Sequence, residues 1–336
     1  MNSEQSLLHV LTREGVLIKV SVRFWRGTKK LKAEDIGLDP GDLSDRLISL
    51  GHKRLLPREA LSGLALVEGR AHALVEANTF PFLNGLAHFL PNAKLAEVTE
   101  KLKELEGEFW KARDQFLSDY RQLREAASRE WRTLAERLAP DPERLVSVIE
   151  ASFPGPGVMN RFFGFDLQLF QISAPERLGL DIVALGDQEA VITARREAAV
   201  AASQKIRQDA EAFVADCVAA LREQTATLCE EMLISIRTSE TGVHQKTLNR
   251  LIHFIDQFKA MNFANDAEME RRLQEVRSEL LGRTAEEYRN SSYARTQLTQ
   301  GLRNLAQQAR ELAQADTRPL VKTFGEMGRR RFSLAA

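Results

Sequence analysis

Residues 95–138 have the sequence LAEVTEKLKELEGEFWKARDQFLSDYRQLREAASREWRTLAERL, and the apolar pattern of this stretch decides the fold. Apolar residues recur every three or four positions: Leu95, Val98, Leu102, Leu105, Phe109, Ala112, Phe116, Tyr120, Leu123, Ala127, Trp131, Leu134 and Leu138. This heptad-like spacing predicts one long amphipathic helix that ends before Pro140. At about 1.5 Å per residue the helix is about 65 Å long, so we expect it to project and to need a partner helix.

Further helices are predicted on the C-terminal side of this stretch. Asp141 followed by Pro142 predicts an N-cap and a short helix to about residue 151. A capping-box pattern at residues 173–176 predicts another helix start, and long helices are expected over about 187–236 and 242–316, the latter interrupted at NFAND, residues 262–266. Long helices joined by turns predict an antiparallel coiled-coil bundle.

Two segments alternate between apolar and polar residues, which is typical of half-buried strands. One covers residues 16–25 and the other residues 163–169. We expect these two strands to pair, since an unpaired strand leaves its backbone groups without hydrogen bonds. The intervening residues 38–91 contain many glycines and prolines, which predicts short helices and loops.

The predicted fold class is mainly α, with a long antiparallel coiled-coil arm on a small α/β base that contains a two-stranded sheet. We expect residues 1–94 with 140–175 to form the base and residues 95–139 with 176–316 to form the helical bundle. Residues 317–336 are expected to be a basic, flexible tail.

Composition limits the partners that the protein can attract. Its 47 basic residues balance 47 acidic residues, so no overall field draws in nucleic acid or an anionic membrane. Cys217 and Cys229 lie too far apart along one predicted helix for a disulfide, which is typical of core residues in a reducing compartment. We find no pattern of a signal peptide or a membrane-spanning segment. We therefore expect a cytoplasmic protein that does not bind a membrane.

The sequence contains no recognisable catalytic or cofactor motif. The six histidines are scattered, and neither an HExxH pattern nor a CxxC pattern occurs in the sequence. The segment GTKKL, residues 27–31, lacks the first glycine of a phosphate-binding loop, and GxSxG does not occur. We expect a protein that is not an enzyme and binds neither a metal nor a cofactor, with an unrecognised hydrolase as a distant alternative.

RFWRGTKKLKAED, residues 23–35, is the clearest candidate for a binding surface. Residues 13–32 hold seven Lys or Arg and one Glu, whereas residues 33–45 hold five acidic residues and no base. One interpretation is a strand end in water, with the aromatic residues packed and the lysines neutralised by the acidic block. The other is a surface for a protein partner or single-stranded nucleic acid, with Trp25 as a stacking ring. The candidate residues, including a basic cluster near the C-terminus, are Arg23, Trp25, Arg26, Lys29, Lys30, Lys32, Arg329, Arg330 and Arg331.

Four stretches resemble the bacterial and phage family called domain of unknown function 3150, in the same order. They are VSVRFWRGTKKLKAEDIGL (20–38), LISLGHKRLL (47–56), EFWKARDQFLSDY (108–120) and TLNRLIHFIDQFKAMNFAND (247–266). Members tend to be encoded in phages and mobile elements, often near MoxR-like or cobaltochelatase-like AAA+ ATPases and von Willebrand factor A-type proteins. The resemblance therefore implies an accessory role beside an ATP-driven machine, and it transfers no active-site residue.

These observations predict a non-enzymatic helical interaction protein of a phage or mobile-element module, with antiviral defence as one such role. Its expected partners are an AAA+ ATPase, a second copy of the chain through the helices, or both. The alternative is a nucleic-acid-binding protein that uses the basic segments 13–32 and 318–331.

Overall fold

The computed structural model describes residues 3–36, 38, 49–82, 85–171, 189–239 and 242–332. The chain divides into two compact units, and each is built from separated segments. The first unit contains Met1–Ile18, Asn78–Ala96 and Leu169–Ala336. The second unit contains Lys19–Ala77 and Glu97–Gln168.

Helices make up most of the described chain. The α-helices are α1 (Ser3–Glu14), α2 (Ser62–Asn78), α3 (Asn92–Leu138), α4 (Pro142–Ser152), α5 (Pro156–Met159), α6 (Glu189–Thr238), α7 (Gln245–Met261), α8 (Ala267–Leu280), α9 (Ala285–Asn290), α10 (Ser292–Gln314) and α11 (Arg318–Phe332). The helices α3, α4 and α6 confirm the predicted elements within a few residues. The predicted stretch 242–316 is divided into α7 to α10, because Asp266, Thr284 and Ser291 each cap a new helix.

The strands form two small sheets. They are β1 (Gly15–Arg23), β2 (Thr28–Lys30), β3 (His52–Arg54), β4 (Phe80–Phe82), β5 (Ala87–Pro91) and β6 (Gly164–Phe170). One sheet has the order β4-β5-β1-β6, and β1 pairs antiparallel with β5 from Gly15 opposite Pro91 to Ile18 opposite His88. The other sheet is the antiparallel pair β2-β3, in which Lys29 lies opposite Lys53.

The two strands predicted from alternation, β1 and β6, are neighbours in the sheet, as expected. The prediction of short helices and loops for residues 38–91 missed β3, β4 and β5 and the 17-residue helix α2. Strands of three to five residues are too short to show a period, and α2 has apolar residues on several sides. The predicted capping box at residues 173–176 lies outside the described residues.

The first unit has a large apolar core formed mainly by α6 and the helices that follow it. Its most buried residues include Val214, Cys229, Leu251, Leu273, Leu298, Leu302 and Phe324. One ion pair crosses this core: Arg222 Nε donates to Asp266 Oδ2 at 2.6 Å, and both side chains are less than 10% exposed. Arg222 Nη1 also donates to the carbonyl of Leu312 at 2.7 Å. Arg222 on α6 therefore forms hydrogen bonds both to the start of α8 and to the end of α10.

The second unit has an aromatic core built on α3. Phe109, Phe116 and Tyr120 lie on the predicted apolar side of this helix and are buried. The ring of Phe109 contacts Phe163 and Phe165, and the ring of Phe116 also contacts Phe163. The predicted apolar side is buried or half-buried as far as Ala127, but beyond it Ala135 is buried and Leu134 is 37% exposed.

The compact units do not follow the predicted division into base and bundle. The long helix α3 belongs mainly to the second unit, whereas α6 to α10 belong to the first. A heptad pattern shows that a helix has an apolar side but does not identify the element that covers it. Within the predicted flexible tail of residues 317–336, Arg318–Phe332 form α11, whose Val321 and Phe324 are buried.

Candidate functional site

Trp25 is buried, so the prediction that it offers an exposed stacking ring is wrong. Its side chain is only 6% exposed. The indole lies 5.9 Å from the ring of Tyr120, 6.1 Å from Phe153 and 6.3 Å from Phe116, measured between ring centroids. Because β1 ends at Arg23, the chain leaves the strand alternation there and can bury Phe24 and Trp25 in succession. Trp25 is therefore part of the core of the second unit.

Arg23 and Arg26 are paired within the second unit. Arg23 Nη2 lies 3.1 Å from Asp166 Oδ2. The guanidinium of Arg26 binds both carboxylate oxygens of Glu68, at 2.5 and 2.7 Å, and stacks 3.9 Å from the ring centroid of Phe24. The hydrogen bond from Arg26 holds the pKa of Glu68 below its ordinary value. Both arginines are therefore engaged in ion pairs within the second unit, although their side chains are 63% and 51% exposed.

The pairing of Arg26 with Glu68 predicts a pH effect on stability. A carboxylate whose pKa is lower in the folded protein stabilises the fold above about pH 4.3, and this contribution is lost as the pH falls through the folded pKa. As the pH falls from about 6 to 3, the free energy of unfolding is expected to decrease more for the parent than for Arg26→Ala. The difference between the two decreases is at most ~1 kcal/mol, because the pair is partly exposed.

Urea denaturation of the two proteins across that pH range measures this difference. Arg137→Ala is the matched control, because it removes one exposed charge that has no ion pair among the described residues. Identical pH profiles for Arg26→Ala and the parent would contradict a stabilising role for the pair.

Lys29, Lys30 and Lys32 are exposed, as the two arginines are, but they form no ion pair among the described residues. They lie on and after β2, where Gly27 adopts a φ of +62° and lets the chain turn from β1 into the β2-β3 pair. We call the cleft that they line the lysine cleft; its volume is about 690 Å³. Its lining residues are Lys29, Lys30, Lys32, Glu34, Asp35, Leu38, Lys53, Ala139, Pro140, Asp141, Arg144, Leu145, Val148 and Ser152.

The acidic side chains of the lysine cleft have structural partners. Asp35 Oδ2 accepts from Lys53 Nζ at 2.7 Å and from the backbone N–H of Lys32 at 2.8 Å. Asp141 caps α4 by accepting from the backbone N–H of Arg144 at 3.0 Å. Glu34 lies 4.0 Å from the guanidinium of Arg144. The three lysines on the β2 side are therefore the cleft's unpaired charges among the described residues.

The α4 side of the lysine cleft contributes apolar Leu145 and Val148 together with polar Asp141, Arg144 and Ser152. Leu145 is buried, whereas Val148 is 40% exposed. Leu38, at the end of the basic segment, is 42% exposed. The predicted neutralisation of the lysines by the whole acidic block 33–45 involves Asp39, Asp42 and Asp45, which lie outside the described residues. Glu34 and Asp35, which are described, pair with Arg144 and Lys53 instead.

Sequence reasoning missed Lys53 and the α4 side of this cleft. Lys53 is buried, and it reaches Asp35 only because β3 pairs with β2. No sequence pattern joins residues this far apart along the chain.

The basic cluster near the C-terminus and the lysine cleft belong to different compact units. Arg329, Arg330 and Arg331 belong to α11 in the first unit, whereas the lysine cleft belongs to the second. The sequence pattern had grouped all of these residues only by their charge.

The described residues contain no cluster of His, Cys, Asp and Glu that can hold a metal ion. The two cysteines are buried in the first unit, and burial raises the pKa of the Cys229 thiol to about 12 and also raises that of Cys217. Thiols held in the protonated form are poor nucleophiles. Among the described helices, none combines the length and the apolar character needed to cross a membrane.

Comparison with known proteins identifies a family. A family model described as "Protein of unknown function (DUF3150)" matches residues 12–287, which is most of the chain. No curated protein and no solved structure matches. The match spans the four sequence stretches that first indicated the resemblance as well as the whole lysine cleft. The chain therefore belongs to the DUF3150 family of proteins of unknown function.

Proposed function

We propose that this protein is a non-enzymatic interaction protein and that the lysine cleft is its docking surface. The observation that carries the proposal is the combination, in one cleft, of unpaired lysines with the exposed apolar side chains of Leu38 and Val148. Charged rims around apolar centres are typical of protein interfaces. A catalytic cleft needs a carboxylate, histidine or nucleophile that is free to react, and the cleft's acidic groups are used for capping and ion pairs.

The proposed partner is an AAA+ ATPase encoded beside this protein in a phage or mobile element. The family resemblance supports this choice, because members tend to be encoded near such ATPases. In this role the protein contributes a binding surface and the ATPase contributes the chemistry. Self-association through the long helices is compatible with the same role, since it leaves the lysine cleft of each copy to the partner.

The docking surface is tested by reversing its charge. The triple variant Lys29→Glu, Lys30→Glu and Lys32→Glu is expected to bind the neighbouring ATPase at least about tenfold more weakly, which is ~1.4 kcal/mol. Calorimetry with both purified proteins measures this loss. The reason is that three favourable charges at the rim become three unfavourable ones.

The matched control is Lys19→Glu, Lys103→Glu and Lys111→Glu. These lysines are exposed in the same unit, lie outside the cleft and change the net charge by the same amount. We expect the control to bind like the parent. Equal losses in both triple variants would attribute the effect to net charge, and tight binding by the cleft variant would place the docking surface elsewhere.

A further inference from the structure

We infer that the lysine cleft recognises an acidic amphipathic segment of its partner, in which carboxylates alternate with apolar side chains. This inference rests on the proposed docking function and gives the chemical class of the bound segment. It follows from three properties of the cleft: the position of its unpaired cations, its exposed apolar side chains and the absence of aromatic rings among its described lining residues.

The cations are arranged to receive more than one carboxylate. Lys29 and Lys30 are consecutive residues of β2, so their side chains point to opposite sides of the β2-β3 pair, and Lys32 follows two positions later. Lys53 lies opposite Lys29 and also lines the cleft. Its side chain is buried and its ammonium donates to Asp35, so Lys29, Lys30 and Lys32 are the exposed cations of the cleft. Three separate cations favour a segment that carries several carboxylates over a single small anion.

The apolar side chains of the cleft favour a segment that also carries apolar side chains. Val148 of α4 is 40% exposed, Leu38 from the chain after β2 is 42% exposed, and Leu145 is buried but also lines the cleft. Covering exposed apolar surface stabilises a complex by about 25 cal/mol per Å² before the entropic costs of binding. A bound segment that has only acidic side chains leaves the apolar side chains of the cleft exposed to water.

The same lining disfavours single-stranded nucleic acid. Proteins that bind single strands stack bases on aromatic side chains, and no aromatic residue is among the described residues that line the cleft. The nearby Trp25, which could have supplied a ring, is buried in the core.

The experiment uses the full chain and fluorescence anisotropy with three labelled probes. The first is a soluble peptide rich in glutamate with leucine at regular intervals. The second has serine in place of each leucine, and the third is an oligothymidine single strand. We expect the leucine peptide to bind the parent at least about tenfold more tightly than the serine peptide, and the cleft triple variant to lose at least about tenfold of that binding.

Val148→Ser tests the apolar part of the cleft separately. It is expected to weaken binding of the leucine peptide by about threefold or more and to leave the serine peptide unaffected. Val158→Ser is its control, because Val158 is similarly exposed at 48% but lies outside the cleft. Circular dichroism of each variant shows whether the fold is intact.

Several results would overturn the inference. One is oligothymidine binding that depends on the three lysines while neither peptide binds. Another is peptide binding only when Asp39, Asp42 and Asp45 are replaced by asparagine, which would show that the protein's own acidic residues compete for the lysines. Equal affinity for the leucine and serine peptides would also reject it. If the leucine peptide binds as expected but the ATPase does not, the inference stands and the proposed partner is wrong.

Discussion

Replacing Phe116 by aspartate is expected to lower the free energy of unfolding of the second unit by ~4 kcal/mol or more. The Phe116 ring is 4% exposed and contacts Trp25, Tyr120 and Phe163. Aspartate removes these contacts, leaves a cavity and places a carboxylate where those aromatic rings surround it. Chemical denaturation followed by tryptophan fluorescence measures the loss, since Trp25 reports directly on this core.

Glu125→Lys is the control on the same helix. Glu125 is exposed and pairs with Arg121 one turn earlier, so its replacement costs about 0.5 kcal/mol or less. Phe116→Leu is an intermediate variant that keeps an apolar side chain and separates lost volume from buried charge. Similar stabilities for Phe116→Asp and Glu125→Lys would mean that the apolar side of α3 is not buried as the structure has it.

Replacing Arg222 by leucine is expected to destabilise the first unit by ~3–5 kcal/mol. The substitution leaves the carboxylate of Asp266 buried without its cation and the carbonyl of Leu312 without its donor. Asp266 also accepts from the backbone N–H of Met269 at the start of α8, so an unpaired charge there disturbs a helix end. Thermal and urea unfolding followed by circular dichroism at 222 nm, where helix signal is strong, measure the effect.

A double-mutant cycle distinguishes a true pair from two separate contributions. Asp266→Asn removes the charge but keeps an oxygen that can cap α8. The double variant with Arg222→Leu and Asp266→Asn is expected to lose less free energy of unfolding than the two single variants lose together. The expected difference is ~1–3 kcal/mol. Strict additivity would show that the two side chains do not interact. Arg250→Leu, which breaks an exposed pair with Glu231, is the control and is expected to cost ~1 kcal/mol or less.

Local patterns predicted the helices well because the information lies within each helix. The apolar spacing from Leu95 to Leu138 was sufficient to predict α3, and Asp141 followed by Pro142 was sufficient to predict the start of α4. What covers the apolar side of α3 was not predictable, since Phe163 and Phe165 come from β6, far along the chain. The grouping into units depends on such distant contacts and was therefore missed.

The candidate site also depends on contacts between residues that are distant in the sequence, and local patterns do not predict such contacts. The basic run from Arg23 to Lys32 was visible in the sequence, but its members do not have equal roles in the structure. Arg26 is paired because α2 brings Glu68 to it, and Arg23 is paired because β6 brings Asp166 to it. Lys29, Lys30 and Lys32 meet no such acid among the described residues. Charge pattern alone cannot separate these cases, because the deciding residues lie 42 and 143 positions away.

The interleaving of the two units sets the order in which the protein can fold during synthesis. Every segment of the second unit precedes residue 169, so this unit is translated before α6 to α11 of the first unit. The first unit begins with α1, whose Leu7, Leu8 and Leu11 are buried by segments that are translated last. At about 5–20 residues per second these leucines wait roughly ten to thirty seconds for the remaining half of the chain. During that time the apolar side of the amphipathic helix α1 has no core to cover it and is exposed to water.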